Sequence, residues 1–341
     1  MDEREASYGS YDPYNDTYYT DIDDVVDEGC DKETIPFREV IVPVFFSVVV
    51  VFSLLGNILV IVLLAKYENL HSLTNALILN LAASDLVFAA GLPFWAYYHM
   101  YGWHLGEMPC KIVSFIFYVG FYSNGILLIM MTAHRYMSVV RPLSDLLSPR
   151  GFVGVLASVL IWTLGPLAAS PALIFHKVVD GNTCQYADAY WEHFGIYQQN
   201  LMFLATVAVF FFCYSQILCK IVRSPAQRRG HRTLKLICIL VIAFFVGWAP
   251  YNVLIFMSST PDALTDCESR RLWGNAFYVS RLLAYFHCCL NPVVYVFVGA
   301  KFKSHLKTLL RCGGGMRRSS VRSRHSRLTI TSMTSGDESS L

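Results

Sequence analysis

Residues 74–99 read TNALILNLAASDLVFAAGLPFWAYYH, and the reading of this stretch decides the fold. A helix crosses the apolar core of a bilayer with about 20 mostly apolar residues. This block is long enough, yet Asp85 sits near its middle, in Leu79-Asn80-Leu81-Ala82-Ala83-Ser84-Asp85-Leu86, with no adjacent base. A carboxylate at bilayer depth is costly, so it must face a protein interior where water, a cation or amides can satisfy it. Such a span implies partner helices. Six other blocks supply them: 40–65, 109–140, 152–174, 194–222, 233–258 and 272–298. Composition agrees, with 55% hydrophobic and only 15% charged residues, against about 25% charged in soluble domains. A buried helical core in a soluble protein is the alternative, and seven such blocks argue against it. The expected fold is an all-α membrane protein, a seven-transmembrane helix bundle.

Charge orients the bundle. Residues 1–39 hold thirteen acids against three bases, whereas most of the 27 Lys and Arg follow spans one, three, five and seven. Lys and Arg mark the cytoplasmic side, so the N-terminus is expected outside and the C-terminus inside. The net charge of +2 hides this split. The acidic start, Met1-Asp2-Glu3-Arg4-Glu5, lacks a signal-peptide pattern, and the first span is expected to act as its own insertion signal. Four organisational units follow. Residues 1–39 form an acidic outer tail and residues 40–298 the bundle. Residues 299–311 form an amphipathic helix, with Phe302, Leu306, Leu309 and Leu310 on one face, suited to the inner leaflet. Residues 312–341 form a disordered Ser/Thr/Arg-rich tail whose phosphorylation would reverse its charge. Cys312 is a candidate for palmitoylation.

The outer tail carries Tyr11, Tyr14, Tyr18 and Tyr19 among aspartates. It reads either as a solvated acidic tail or as a patch that attracts a basic partner. Its acid-flanked tyrosines suit sulfation, and Asn15-Asp16-Thr17 matches the glycosylation pattern. Cys30, Cys110, Cys184 and Cys267 fall on the outer side, where four thiols favour two disulfides in one of three pairings.

Other buried polar groups and prolines lie at matching depths. Asn57, Asn124 and Asn291 are candidate neighbours of Asp85. Arg135, followed by Tyr136, ends the third span with a permanent charge. Pro250 after Trp248, and Pro292 after Asn291, bend spans six and seven, and bent helices with polar insertions can act as hinges.

These residues resemble the class A (rhodopsin-like) G-protein-coupled receptors. The matching marks run in order, from Gly56-Asn57 through Asp85, Arg135-Tyr136, Trp162 and Trp248-Ala249-Pro250 to Asn291-Pro292 and Tyr295. Pro93, Trp95, Trp103, Cys110 and the run His287-Cys288-Cys289-Leu290-Asn291-Pro292, together with the acidic tail, are similar to the chemokine receptors, and among them to the lymphotactin (XC) type. The resemblance implies disulfides Cys110–Cys184 and Cys30–Cys267 and a secreted basic chemokine as ligand. It implies docking on the tail tyrosines and entry of the ligand N-terminus near Trp95, Tyr98, Phe117, Tyr118, Tyr251 and Arg281. It further implies a switch through Asp85, Arg135, Tyr136, Tyr214, Trp248, Pro250, Asn291, Pro292 and Tyr295. The implied partners are an inhibitory-type heterotrimeric G protein, arrestin and receptor kinases at the tail, and membrane lipid. The implied location is the plasma membrane, and the implied outcome is immune-cell chemotaxis.

Several residues depart from the family pattern. His134 replaces the usual aspartate before Arg135, which favours as an alternative a scavenging receptor with little G-protein coupling. Thr206 stands where proline is usual in span five. Arg281 stands where glutamate is usual in span seven and reverses that charge. Asp85 is the expected site of a sodium ion as allosteric modulator, and Asn124 replaces a serine usual in that site. Span seven has no lysine to hold retinal, and Phe117 stands where an amine receptor needs aspartate. With no metal-spaced cluster, nucleophile motif or phosphate loop, an enzyme and a nucleic-acid partner are not expected.

Overall fold

The computed structural model describes residues 35–140, 152–223, 231–259, 267–298 and 300–314. The tail residues Tyr11, Tyr14, Asn15, Tyr18 and Tyr19, the Cys30–Cys267 pairing and the Ser/Thr-rich end lie outside the described residues. Seven long helices are present: α1 (Ile35–Tyr67), α2 (Leu73–Tyr101), α3 (Glu107–Val140), α4 (Phe152–Phe175), α5 (Ala189–Arg223), α6 (His231–Ser258) and α7 (Cys267–Val298). A shorter α8 (Ala300–Gly314) follows, and one hairpin of β1 (His176–Val179) and β2 (Thr183–Tyr186) lies between α4 and α5. The first helix begins at Ile35, ahead of residue 40, and α8 runs past residue 311 to Gly314.

Burial runs opposite to a soluble protein. Val222, Leu201 and Leu55 present 78%, 70% and 67% of their surface outward, while Asn57, Ser84 and Asp85 are at 0%. Apolar side chains on the rim and polar ones within is the pattern a bilayer imposes. Among the described residues, six helices are long and apolar enough to cross a membrane on composition alone. The seventh, α7, is the least apolar of the long helices and carries Ser280, Arg281, His287 and Asn291. It packs against α1, α2 and α6, and its Tyr285 meets Phe117 of α3. Neighbours shield the polar groups that lower its hydropathy.

Close packing depends on missing side chains. A Cβ at Gly120 of α3 would lie 2.7 Å from the Phe88 Cβ of α2. One at Gly56 of α1 would lie 2.8 Å from Pro292, so α1 seats against the bend of α7. On the other side, Trp162 Nε1 donates to Asn80 Oδ1 at 2.8 Å, and Asn80 Nδ2 donates to Ser158 Oγ at 2.8 Å, tying α2 to α4. Sulfur links the outer loop to the bundle, through a Cys110–Cys184 disulfide with Cα atoms 5.7 Å apart. The hairpin turns through Asp180, Gly181 and Asn182, with positive φ at Asp180 (51°) and Gly181 (77°). Asp-Gly is a sequence suited to that conformation.

Gly120→Val should lower the thermal unfolding midpoint of the purified protein, because overpacking a tight contact costs about 1–3 kcal/mol. An unchanged midpoint in a thiol-reactive dye assay would show that α2 and α3 yield freely at this crossing.

Candidate functional site

Three levels of functional side chains lie along the bundle. At the outer level, the disulfide fixes β2 over the start of α3. Trp95 contacts Tyr98 and Phe117 edge to face, each at 5.8 Å between ring centroids. Phe117 in turn meets Tyr118 at 5.2 Å and Trp248 at 6.0 Å. Trp248 continues to Tyr251 at 6.1 Å, and Tyr251 to Phe277 at 5.6 Å. The Arg281 guanidinium lies over the Phe277 ring, 4.9 Å from its centre. Residues from α2, α3, α6 and α7 thus form one connected aromatic surface ending in a cation. Such rings supply large contact area with defined geometry.

Two members of this level were not singled out in the sequence. His176 and Tyr186 face each other across the hairpin at 4.1 Å, and both approach Tyr118. The Asp-Gly turn after Val178-Val179 was the available signal. Burial pushes the His176 imidazole down to about 3.

At mid-depth, Trp248 is fully buried and rests on Phe121 at 4.6 Å. It sits just before Pro250, where the missing amide weakens α6. His287 lies beside it at 5.1 Å. Asn291 Nδ2 donates to Asp85 Oδ2 at 2.6 Å, joining α7 to α2. The other two asparagines are placed differently. Asn57 Nδ2 donates to the Cys288 carbonyl at 2.9 Å, and Asn124 Nδ2 donates to Gly120 O and Ser84 Oγ. Among the described residues Asp85 Oδ1 has no hydrogen-bond partner, and it lies 4.0 Å from His287 Nε2. A small cavity between Asn124, His287 and Asn291 is about the size of one water. Among the described residues no three His, Cys, Asp or Glu side chains cluster as a metal site.

At the inner level, Arg135 Nη2 donates to Thr74 Oγ1 at 2.9 Å. The residue before it, His134, offers an imidazole instead of a carboxylate. The Tyr214 hydroxyl donates to Leu234 O at 3.3 Å, closing α5 against α6. Tyr295 is fully buried and stacks on Phe302 of α8 at 5.4 Å. Tyr136 contacts Phe212 at 5.9 Å. Arg135, Tyr214 and Tyr295 therefore hold separate partners in this conformation.

Comparison with known proteins bears on what this arrangement serves. Residues 56–295 match the 7 transmembrane receptor (rhodopsin family). The chain is 42% identical over 290 residues to chemokine XC receptor 1 of Homo sapiens, covering 84% of this chain and 86% of that one. It is 41% identical to the Mus musculus protein of the same name, covering 86% and 90%. It is 36% identical to C-C chemokine receptor type 1 of Homo sapiens, covering 80% of each.

The chemistry of His176 sets a pH dependence. The folded imidazole stays neutral down to about 3, whereas the unfolded one takes a proton near 6.5. The unfolded state then binds more protons between those values, so stability is lost as pH falls below 6.5. The unfolding midpoint should drop between pH 7.5 and 5.5, and His176→Gln should flatten the drop. Equal slopes for the two proteins would assign the effect to another group.

Proposed function

The chain belongs to the rhodopsin family of seven-transmembrane receptors, in its chemokine-receptor branch, and from that premise we propose that it binds a secreted basic chemokine of the XC type and signals through an inhibitory-type heterotrimeric G protein. The members of this branch are receptors, not enzymes. The observation that carries the reading is the unbroken aromatic path from Trp95 and Phe117 to Trp248. A ligand touching the outer rings thereby touches the residue that packs against the Pro250 bend.

Binding can shift a conformational equilibrium only through contacts that differ between its states. In the proposed mechanism the acidic tail, through Tyr11, Tyr14, Tyr18 and Tyr19, draws in the folded body of the chemokine. Its flexible N-terminus reaches Trp95, Tyr98, Phe117, Tyr118, Tyr251 and Arg281. Movement of Trp248 then straightens or swings α6, the Tyr214–Leu234 bond opens, and Arg135 is freed toward an inner cleft. A cationic Arg281 attracts an acidic or carbonyl-rich ligand end, the opposite of what a glutamate there would accept. The Cys30–Cys267 disulfide would close the outer rim, and glycosylation at Asn15 would mark the outer tail. In this proposal the receptor sits in the plasma membrane with its N-terminus outside. Arrestin and receptor kinases meet the tail, α8 rests on lipid, and chemotaxis is the cellular outcome. Where sodium binds, Asp85 Oδ1 is the buried oxygen left to hold it, with Asn124 alongside.

His134 supports a second reading, a scavenging receptor that takes up chemokine with little G-protein response. Cells expressing the receptor, screened with purified chemokines for G-protein activation and uptake, separate the two. Activation by an XC-type chemokine is expected, and uptake with no G-protein response to any ligand would sink the signalling reading. Arg281→Glu should shift the activation curve by about tenfold or more, the scale of one lost charged contact. A superimposable curve would remove Arg281 from ligand recognition.

A further inference from the structure

The arginine at the inner end of α3 has a partner that the motif around it does not announce. With histidine at position 134, no carboxylate precedes Arg135 in the chain. The guanidinium instead donates from Nη2 to the Thr74 hydroxyl at 2.9 Å, at the start of α2. Its Nε finds no hydrogen-bond partner among the described residues. This half-buried cation is therefore held toward α2 by a neutral acceptor. A hydrogen bond involving a charged group is stronger than a neutral one, but a hydroxyl supplies no counter-charge.

The start of α2 is itself held from outside the bundle. Asn75, next to Thr74, donates from Nδ2 to Asn69 O at 3.0 Å and to Glu68 Oε2 at 3.4 Å. The other carboxylate oxygen, Glu68 Oε1, pairs with His305 Nε2 of α8 at 3.0 Å. The His305 ring also stacks on Tyr67 at 5.0 Å, with the planes 4° apart. A chain of contacts thus runs from α8, through the α1–α2 turn, to the threonine that holds Arg135. Two ends of it have different chemistry: a pair that binds α8, and a single hydroxyl that binds the switch.

We propose that Thr74 is the residue that holds Arg135 in the resting receptor, and that the Glu68–His305 contact positions Thr74 by fixing the α1–α2 turn against α8. Thr74 takes over the restraint that a neighbouring acid would exert, and displacement of α8 from the turn loosens it. Both are positioning residues, acting on the bundle through Arg135. The inference rests on the reading of Arg135 as part of a G-protein-coupling switch, and the test separates the two.

The full-length receptor, in lipid nanodiscs without ligand, carries spin labels introduced through unnatural amino acids at Phe152 and Lys235, at the inner ends of α4 and α6. Electron-electron distance measurement reports the fraction with an open inner end, and nucleotide exchange on added G protein reports coupling. Thr74→Val keeps the shape of the side chain and removes the hydroxyl. It should raise the open fraction about tenfold or more, the scale of losing one hydrogen bond to a charged group. Thr74→Ser should restore the wild-type distribution. His305→Phe, which keeps the stack on Tyr67, should raise the open fraction about twofold, and His305→Gln should restore it. Adding His305→Phe to Thr74→Val should give no further rise, since both act through one bond. An unchanged distance distribution in Thr74→Val, or identical distributions for the valine and serine variants, would overturn the proposal. A shifted distribution with no gain in nucleotide exchange would uphold Thr74 and overturn the G-protein reading instead.

Discussion

A buried carboxylate in a membrane span must be answered from another helix, and here the answer comes from Asn291, 2.6 Å from Asp85. The bond joins α2 to α7, the least apolar of the long helices. In hydrocarbon an unsatisfied polar group is expensive. The polar set on α7 is therefore admissible only because α1, α2, α3 and α6 surround it. Asn57 repeats the device by holding the Cys288 carbonyl beside the Pro292 bend, where the helix ladder is broken. The polar interior and the proline of α7 are one arrangement: the Asn57 amide stands in for the donor that Pro292 removes.

Around that interior, glycines set how closely helices approach. Gly120 admits Phe88, and Phe88 completes a ring of aromatic contacts with Phe117, Trp248, Tyr285 and His287. The aromatic surface at the outer end is thereby continuous with the packing around the α6 bend. A packed interior switches between discrete arrangements and does not deform smoothly. That property suits a molecule in which contact at one end must be read at the other. At the inner end, among the described residues, a hydroxyl holds Arg135 and a carbonyl holds Tyr214.

Much of the fold was legible in residues 74–99 and their six counterparts, because bilayer thickness fixes span length and Lys and Arg mark one side. The prolines inside α6 and α7, Pro250 and Pro292, were legible for the same local reason, the missing amide. The hairpin between α4 and α5 was overlooked although Asp180-Gly181 signalled it, since a short outer loop carries little periodicity. The partners of the asparagines were not legible. Asn57, Asn124 and Asn291 all sit at suitable depth, yet Asn291 and Asn124 reach Asp85 while Asn57 turns to the Cys288 carbonyl, because helix rotation decides which amide reaches the carboxylate. The Thr74 contact was equally hidden, as threonine at a helix start is ordinarily a capping residue.

The sequence by itself determined a helical membrane bundle, the prolines within its helices and its family, and its charge asymmetry gave the expectation of which end lies inside. These depend on span length, charge asymmetry and residue types that act locally. Tertiary structure alone decided which polar groups meet: Asp85 with Asn291, Arg135 with Thr74, and Glu68 with His305. The physical reason is geometric. A hydrogen bond tolerates only a few tenths of an ångström, and that precision comes from how close the helices pack and how each one is turned.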